Sequence, residues 1–95
     1  MTRQYYVYIL TNARHTVLYT GVTNDLLRRV WQHRNGQGSG FTVRYRCTEL
    51  VFSEIFKDSY NAIAREKQLK AGSRLRKIDL IEQMNPGWRD LFDTL

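Results

Sequence analysis

The most constraining feature of the sequence is a pair of short apolar runs, Tyr5–Leu10 and Val17–Val22, separated by the polar segment Thr11–Thr16. Apolar runs of this length that flank a polar turn predict two antiparallel strands joined as a β-hairpin. The first run is apolar on both of its alternating faces, which is typical of a strand in the middle of a sheet. The sequence therefore predicts a sheet with Tyr5–Leu10 near its centre.

Two tyrosines in this hairpin have more than one interpretation. A four-residue loop at Asn12–His15 would pair Thr11 with Thr16. That register sets Tyr8 opposite Tyr19 on one face, whereas a slip of one residue would put the two rings on opposite faces. Buried phenols need hydrogen-bond partners, which Val, Ile or Phe would not. The two tyrosines are therefore either aromatic packing or groups that line a reaction site.

A helix is predicted directly after the hairpin. Thr23 or Asn24 can cap its N-terminus, and the helical pattern continues to about Asn35. Asp25 then lies in the first turn, where a carboxylate is favourable. The apolar positions that share one side of this helix, and that we expect to be buried, are Leu26, Leu27, Val30 and Trp31.

The remainder of the chain predicts one more strand and two more helices, and hence an α/β (α+β) fold. A small three-stranded, mainly antiparallel sheet flanked by helices suits these elements, and residues 1–95 are enough for one such domain. In order, the elements are a loop at Asn35–Gly40, a strand at Glu49–Phe56, a helix from Asp58 or Ser59 to Lys70, a helix capped by Ser73 that ends near Met84, and a C-terminal "WRDLF" segment that folds back.

The charge of the chain indicates a polyanionic partner. The net charge is +6, and the basic residues form two blocks, of which the first contains no acidic residue. Any one of these residues could simply be a solvated surface charge. The prediction of nucleic-acid contact therefore depends on the two blocks as a whole. The blocks are Arg28, Arg29, Arg34, Arg44 and Arg46, and then Arg65, Lys67, Lys70, Arg74, Arg76 and Lys77.

Composition also argues against several classes of protein. Cys47 is the only cysteine, so neither an internal disulfide nor a zinc finger can form, and a reducing cytoplasmic setting is expected. No segment approaches the roughly 20 apolar residues of a membrane span, and the first apolar run is too short for a secretory signal. No Ser or Cys nucleophile motif is visible, so Cys47 is expected to be structural.

A carboxylate lies on the apolar side of the second long helix. At 100° per residue, Glu66 lies within the arc formed by Ala62, Ile63 and Leu69. Burying an unpaired carboxylate is costly, so this side chain is either raised toward solvent or directed inward for a purpose. It is therefore either an i,i+4 ion-pair partner of Lys70 or a metal ligand or catalytic group.

The first predicted helix carries a second polar pair. Arg29 and His33 are four residues apart and border Leu26 and Val30, on the side that we expect to face the sheet. One interpretation is a partly buried arginine with a capping histidine. The other is a guanidinium held beside the tyrosines, where its planar donors can bind a phosphate.

Taken together, these features resemble the GIY-YIG nuclease family, most closely its small single-domain bacterial members. The ordered set of motifs covers nearly the whole chain and is far more specific than any one motif. Tyr6 departs from the pattern, which has glycine there, and Thr20 departs from an isoleucine. The motifs are "YVY" at Tyr6–Tyr8, "YTG" at Tyr19–Gly21, "RRVWQH" at Arg28–His33, "REK" at Arg65–Lys67, and the tail "NPGWRDL".

The resemblance implies a metal-dependent endonuclease that hydrolyses DNA phosphodiester bonds. Tyr8 is implied to be the general base, and Glu66 to hold one divalent cation, Mg²⁺ or Mn²⁺. An unperturbed phenol is only about 0.1% ionised at pH 7, so we expect Arg29 and the cation to favour the phenolate. The catalytic residues that the resemblance implies are Tyr8, Tyr19, Arg29, His33 and Glu66.

DNA is the expected partner, with no membrane and no small-molecule cofactor. The alternative function is a non-catalytic nucleic-acid-binding module with the same fold. We expect a cytoplasmic monomer or weak dimer, and the resemblance associates such a protein with DNA repair. The residues expected to contact nucleic acid are Gly21, Arg28, Arg34, Arg44, Arg46, Lys67, Lys70 and Arg74.

Overall fold

The computed structural model describes residues 3–95 and contains a three-stranded antiparallel sheet with helices packed on both of its faces. The predicted fold class is confirmed, and so is the central position of the first strand, because the spatial order is β2-β1-β3. The strands are β1 (Tyr5–Thr11), β2 (Leu18–Thr23) and β3 (Glu49–Phe56). The helices are α1 (Leu26–Arg34), α2 (Gly40–Tyr45), α3 (Ser59–Ala71) and α4 (Arg74–Met84), followed by a 3₁₀ turn at Leu91–Thr94.

The register of the β1–β2 hairpin differs from the predicted one by two residues. Thr11 pairs with Leu18 rather than with Thr16, and Tyr8 pairs with Gly21 rather than with Tyr19. Side chains along a strand alternate between the faces, so a shift of two residues keeps every side chain on its expected face. Tyr8 and Tyr19 therefore share a face as diagonal neighbours, with ring centroids 6.4 Å apart.

The hairpin loop is longer than predicted because the side chain of Asn12 organises it. Asn12 Oδ1 accepts hydrogen bonds from the backbone N–H groups of Thr16 (2.9 Å) and Val17 (3.1 Å). Thr16 and Val17 are thereby held in the loop and cannot pair with β1. Pairing begins only at Leu18.

The sheet separates two hydrophobic clusters, because successive side chains of β1 point to opposite faces. Helices α3 and α4 cover one face, and α1 with the C-terminal 3₁₀ turn covers the other. The buried residues on the α3–α4 face are Val7, Ile9, Val51, Phe52, Ala62, Leu69 and Ile81. Those on the α1 face are Tyr8, Leu10, Leu26, Val30, Cys47 and Leu50.

Helix α1 begins one or two residues later than predicted. Its N-cap is Asp25, whose carboxylate accepts the backbone N–H of Arg28, rather than Thr23 or Asn24. The hydroxyl of Thr23 instead accepts the N–H of Asp25 at 3.1 Å and so holds the capping residue in place. A carboxylate is a stronger acceptor for the free N–H groups at a helix N-terminus, which explains the choice.

The buried side of α1 is narrower than predicted. Leu26 and Val30 are buried, but Leu27 and Trp31 are about half exposed. His33 takes the third buried place on this helix, at 2% exposure. Apolar residue type alone therefore predicted two of the four buried positions wrongly. The hydrogen-bonded His33, a polar residue, occupies the position of α1 nearest the tyrosines.

Helix α2 lies between the loop predicted at Asn35–Gly40 and β3, in a segment for which the sequence predicted no helix. Ser39 caps it by accepting the N–H of Thr42, and Arg46 ends it in the left-handed conformation (φ 53°). Its sequence, "GFTVRY", contains glycine and β-branched residues with low helix propensity, so the local signal is weak. Tertiary contacts made by Thr42, described below, hold it in place.

The C-terminal segment folds back on the sheet, as predicted. Asn85 is buried and its side-chain amide donates to Val51 O (3.2 Å) and Arg89 O (2.8 Å). Asp90 accepts the N–H of Leu50 at 3.1 Å. None of the helices within residues 3–95 is long and apolar enough to cross a membrane.

Candidate active site

Tyr8 lies at the centre of the cluster that the sequence singled out. It is 2% exposed, and its hydroxyl oxygen lies 3.2 Å from His33 Nε2. The ring of Tyr19 packs against both partners, with centroid distances of 6.4 Å to Tyr8 and 5.5 Å to His33. Strands β1 and β2 and helix α1 thus bring two phenols and an imidazole together.

Gly21 makes room for the ring of Tyr8. The two residues are paired across the hairpin, and a Cβ added at Gly21 would lie 2.5 Å from Tyr8 Cζ. Only glycine leaves this space free, which gives a packing reason for the tyrosine-x-glycine motif. Gly21 is itself buried, so it presents no surface for the nucleic-acid contact that was expected of it.

His33 is held from its other side by helix α2. Its Nδ1 lies 2.8 Å from the hydroxyl oxygen of Thr42, and that hydroxyl donates to Ser39 O at 3.0 Å. Gly38 passes directly beside the imidazole, since a Cβ there would lie 2.6 Å from Thr42 Oγ1 and closer still to the ring. His33 is therefore a buried residue with both nitrogens engaged, not a helix-capping one.

Arg29 lies next to this cluster with its side chain exposed. It makes no hydrogen bond or ion pair with any residue between 3 and 95, and it lines a cleft of about 460 Å³ together with Arg28. Its charge acts on its neighbours, because it opposes the rise in the pKa of Tyr8 and lowers the pKa of His33. The guanidinium is thus close to the tyrosine face and open to solvent.

Glu66 is directed inward and also pairs with lysine. Only 14% of its side chain is exposed, and its Oε2 lies 3.4 Å from Nζ of Lys70, which is half exposed. Of its helical neighbours, Ala62 and Leu69 are buried, but Ile63 is 43% exposed, so the predicted apolar arc is wrong at that position. The negative charge of Glu66 adds to the rise in the pKa of Tyr8. It therefore acts on the tyrosine even though α3 packs on the opposite face of the sheet.

The protonation state of Tyr8 differs from expectation. Burial raises the pKa of the Tyr8 phenol well above its usual value, and Tyr19 adds to the rise, while Arg29 opposes it only in part. Burial also lowers the pKa of His33, with Arg29 as the second cause. Removal of water from the phenolate outweighs the attraction of the guanidinium. Tyr8 is thus a neutral phenol beside a neutral imidazole at pH 7.

The single carboxylate of Glu66 suits a hydrated cation such as Mg²⁺ or Mn²⁺ better than zinc or calcium. No group of three or more His, Cys, Asp or Glu side chains that could hold a metal exists in the part of the chain described here. A site for zinc or calcium would need such a group. A single inward carboxylate suits Mg²⁺, which binds oxygen and keeps much of its water.

One residue expected to contact nucleic acid also makes contacts within the fold. Arg34 donates to Asp90 at 2.7 Å, and its guanidinium lies 4.4 Å from the centroid of the Phe92 ring. Both contacts fasten the C-terminal segment to α1. Arg34 is therefore occupied by intramolecular partners.

The other basic candidates are exposed, and some make weak contacts. Lys70 pairs with Glu66, and Arg74 donates to the backbone oxygen of His15 at a long 3.4 Å. The Lys70 side chain is half exposed and Arg74 is exposed, so each cation can exchange its contact for a phosphate at little cost. The exposed candidates are Arg28, Arg44, Arg46, Lys67, Lys70 and Arg74.

Sequence reasoning missed Thr42 and Gly38, which reach the cluster through α2. The available signal was Ser39, because serine is a preferred N-cap residue. Its side chain can accept the backbone N–H three residues later, which here belongs to Thr42. That signal predicts where a helix begins, but not which residue the helix packs against. Only the tertiary fold places Thr42 against His33.

Comparisons with known proteins identify the family of this chain. The GIY-YIG catalytic domain matches residues 4–79. A UPF0213 protein of Staphylococcus saprophyticus is 36% identical over 80 residues, covering 84% of this chain and 96% of that one. A UPF0213 protein of Natronomonas pharaonis is 40% identical over 81 residues, covering 85% and 94%. The solution NMR structure of a UPF0213 protein from Bacillus halodurans is similar over 92% of both chains, with a TM-score of 0.59 and 30% identity. The chain therefore belongs to the GIY-YIG family, through a match that extends from its first strand into its fourth helix.

Proposed function

We propose that this protein is an endonuclease that hydrolyses phosphodiester bonds in DNA with the help of one divalent cation. The observation that carries the proposal is the convergence at Tyr8. Its hydroxyl meets His33 and its ring meets Tyr19, while the charges of Arg29 and Glu66 both act on it. A phenol that served packing alone would need one hydrogen-bond partner, but not the further charges of Arg29 and Glu66.

Arg29 is the group best suited to hold the scissile phosphate. A free, exposed guanidinium presents planar donors that match two phosphate oxygens. Because α1 carries it beside Tyr8, its charge lies near the site before the reaction begins. Such a charge contributes most where negative charge grows in the transition state.

Tyr8 acts on the attacking water, but not as a resident phenolate. Its raised pKa means that it must release its own proton as it accepts another. His33 Nε2 is its hydrogen-bond partner at 3.2 Å and can take that proton. Tyr19 lies beside both groups and would orient the water or the phosphate.

Glu66 would hold the cation. When bound, Mg²⁺ supplies positive charge that stabilises the phosphate and the leaving oxygen. Lys70 now neutralises Glu66 across 3.4 Å, but its ammonium is half exposed and can turn to a DNA phosphate instead.

We expect such a protein to act in the cytoplasm.

The same ion pair favours a second candidate, a nucleic-acid-binding module without activity. A carboxylate that lysine already neutralises does not need a cation. In that case the basic surface would bind DNA and the tyrosine cluster would be inert. The two candidates differ in whether Glu66 is required for a chemical step.

Nicking of supercoiled plasmid in Mg²⁺ separates the two candidates. Wild type and Glu82→Gln, a matched change at an exposed glutamate of α4, should nick, whereas Glu66→Gln should be at least about 100-fold slower. DNA binding by all three proteins should be similar. If the wild type binds DNA but nicks in neither Mg²⁺ nor Mn²⁺, the binding module is the correct function.

A further inference from the structure

We propose that Thr42 is a positioning residue that fixes His33 in the Nδ1-protonated tautomer, so that His33 Nε2 takes the proton of Tyr8 during cleavage. The inference rests on the proposed endonuclease function for the proton transfer, but not for the tautomer. Helix α2 would then be part of the catalytic machinery, although no residue of it was predicted to be.

The direction of the hydrogen bond between Thr42 and His33 follows from the third partner. Thr42 Oγ1 lies 3.0 Å from Ser39 O, which has no proton to give, and 3.3 Å from Ser39 Oγ, which can donate to it. The single proton of the Thr42 hydroxyl must therefore point to Ser39 O. If it pointed to His33 instead, two bare oxygens would face each other at 3.0 Å. The Thr42 oxygen is thus an acceptor toward His33, and Nδ1 must carry the proton that it receives.

The opposite end of the imidazole gives the same assignment independently. With Nδ1 protonated, the neutral ring has its lone pair on Nε2, which faces the Tyr8 hydroxyl. Within residues 3–95, Tyr8 Oη has no other hydrogen-bond partner, and the residue is 2% exposed. His33 Nε2 is therefore the one acceptor that the described protein residues offer to the Tyr8 proton. The other tautomer would leave that proton without an acceptor inside the protein.

The resulting chain balances the proton transfers of the reaction. A water molecule gives one proton to Tyr8 Oη while the proton of Tyr8 passes to His33 Nε2. The water oxygen forms a bond to phosphorus, the bond from phosphorus to the leaving oxygen breaks, and the leaving oxygen takes a proton from solvent. His33 then gives its Nε2 proton back to solvent through Tyr8. The phenolate never accumulates, so the raised pKa of Tyr8 is no obstacle.

The surroundings of His33 keep it neutral before the reaction. Tyr8 and Tyr19 face it from the two strands, and Arg29 acts on it from its own helix. The charged residues that line the groove on the outer side of His33 are all cationic, namely Arg14, Arg34 and Arg46. Thr42, unlike a carboxylate, orients the ring without adding negative charge. His33 is thus available as an acceptor at pH 7.

The tautomer can be measured without any activity. The ¹⁵N shifts of the His33 imidazole nitrogens should show a protonated Nδ1 and a bare Nε2 in wild type, with the partly exposed His15 as the internal reference. In Thr42→Val, which is isosteric but cannot accept this bond, part of the population should move to the Nε2-protonated tautomer, because Tyr8 alone then favours the wild-type one. Thr42→Ser should restore the wild-type pattern. A wild-type His33 with its proton on Nε2 overturns the proposal, whatever the fate of the variants.

Cleavage kinetics test the proton transfer. Thr42→Val should lower kcat by about 100-fold with little change in KM, because it misaligns a general base rather than a binding group. Thr42→Ser should be close to wild type. The acid limb of the kcat–pH profile should also shift in Thr42→Val. Wild-type kcat and an unchanged profile in Thr42→Val would overturn the proposal while leaving the endonuclease intact. Absence of cleavage by the wild type would instead refute the endonuclease, and the tautomer would still decide the role of Thr42.

Discussion

Gly21→Ala is the perturbation that most directly tests how the hairpin positions Tyr8. A Cβ at this position would lie 2.5 Å from Tyr8 Cζ and closer to its hydroxyl. No unusual backbone conformation is required at Gly21, so alanine introduces a steric conflict and little else. The Tyr8 ring must move away, and its hydroxyl must leave His33 Nε2.

The expected magnitudes follow from this geometry. Forcing a methyl group into a packed site costs about 1–3 kcal/mol, and the lost hydrogen bond costs about 1 kcal/mol more. Alanine recovers about 0.4–1 kcal/mol by restricting the unfolded chain. The net loss of about 1–3 kcal/mol corresponds to a Tm lower by roughly 5–20 °C for a domain of this size. A displacement of about 1 Å at a reacting group costs about 100-fold in rate.

Thermal unfolding and plasmid nicking measure the two effects, with Gly40→Ala as the matched control. A Cβ at Gly40 meets no atom within 4 Å, so this variant should keep wild-type activity and a similar or slightly higher Tm. Gly21→Ala should lose about 100-fold in kcat and little in DNA affinity. If Gly21→Ala retains both wild-type Tm and wild-type kcat, the ring of Tyr8 does not need this space, and the account of the motif is wrong.

Four further expectations follow from the site and its supports. Arg29→Ala should lower kcat by about 100- to 1000-fold but leave the urea midpoint unchanged, because Arg29 has no intramolecular partner within residues 3–95. Burial lowers the pKa of His33 below 6.5, so as pH falls the unfolded chain takes up a proton before the folded one does. The free energy of unfolding, measured by urea titration, should therefore decline below pH 6.5, and His33→Gln should flatten this decline. Since burial raises the pKa of Tyr8 above 10.0, stability should fall as pH rises through 10, and less so in Tyr8→Phe. Asp90→Asn removes the ion pair with Arg34 (2.7 Å) and should cost at most about 1 kcal/mol, because both side chains are about one-third exposed.

Local signals in the sequence predicted most of the secondary structure. The strand at Glu49–Phe56 agrees with β3 at both ends. Asp58 and Ser73 cap α3 and α4, since each side chain accepts the backbone N–H three residues later. These signals depend on a few neighbouring residues, so they can be read without knowing the fold.

The errors share a cause, which is competition from partners outside the local pattern. Asn12 bonds two N–H groups of the hairpin loop and moves the register by two residues. His33 takes the buried position on α1 that Trp31 was expected to share. Thr42 secures a helix whose own propensity is weak. None of these preferences is visible in hydrophobic periodicity.

The sequence by itself determined the three strands, the helices α1, α3 and α4, their order, and most of the residue types at the candidate site, because caps, periodicity and motif spacing act between near neighbours. Only the tertiary structure decided that Tyr8 is a neutral phenol bonded to His33, that Gly21 lies under its ring, and that Thr42 orients the imidazole. The physical reason is that burial and hydrogen bonding set the protonation of a group. Both depend on which distant segments of the chain pack together.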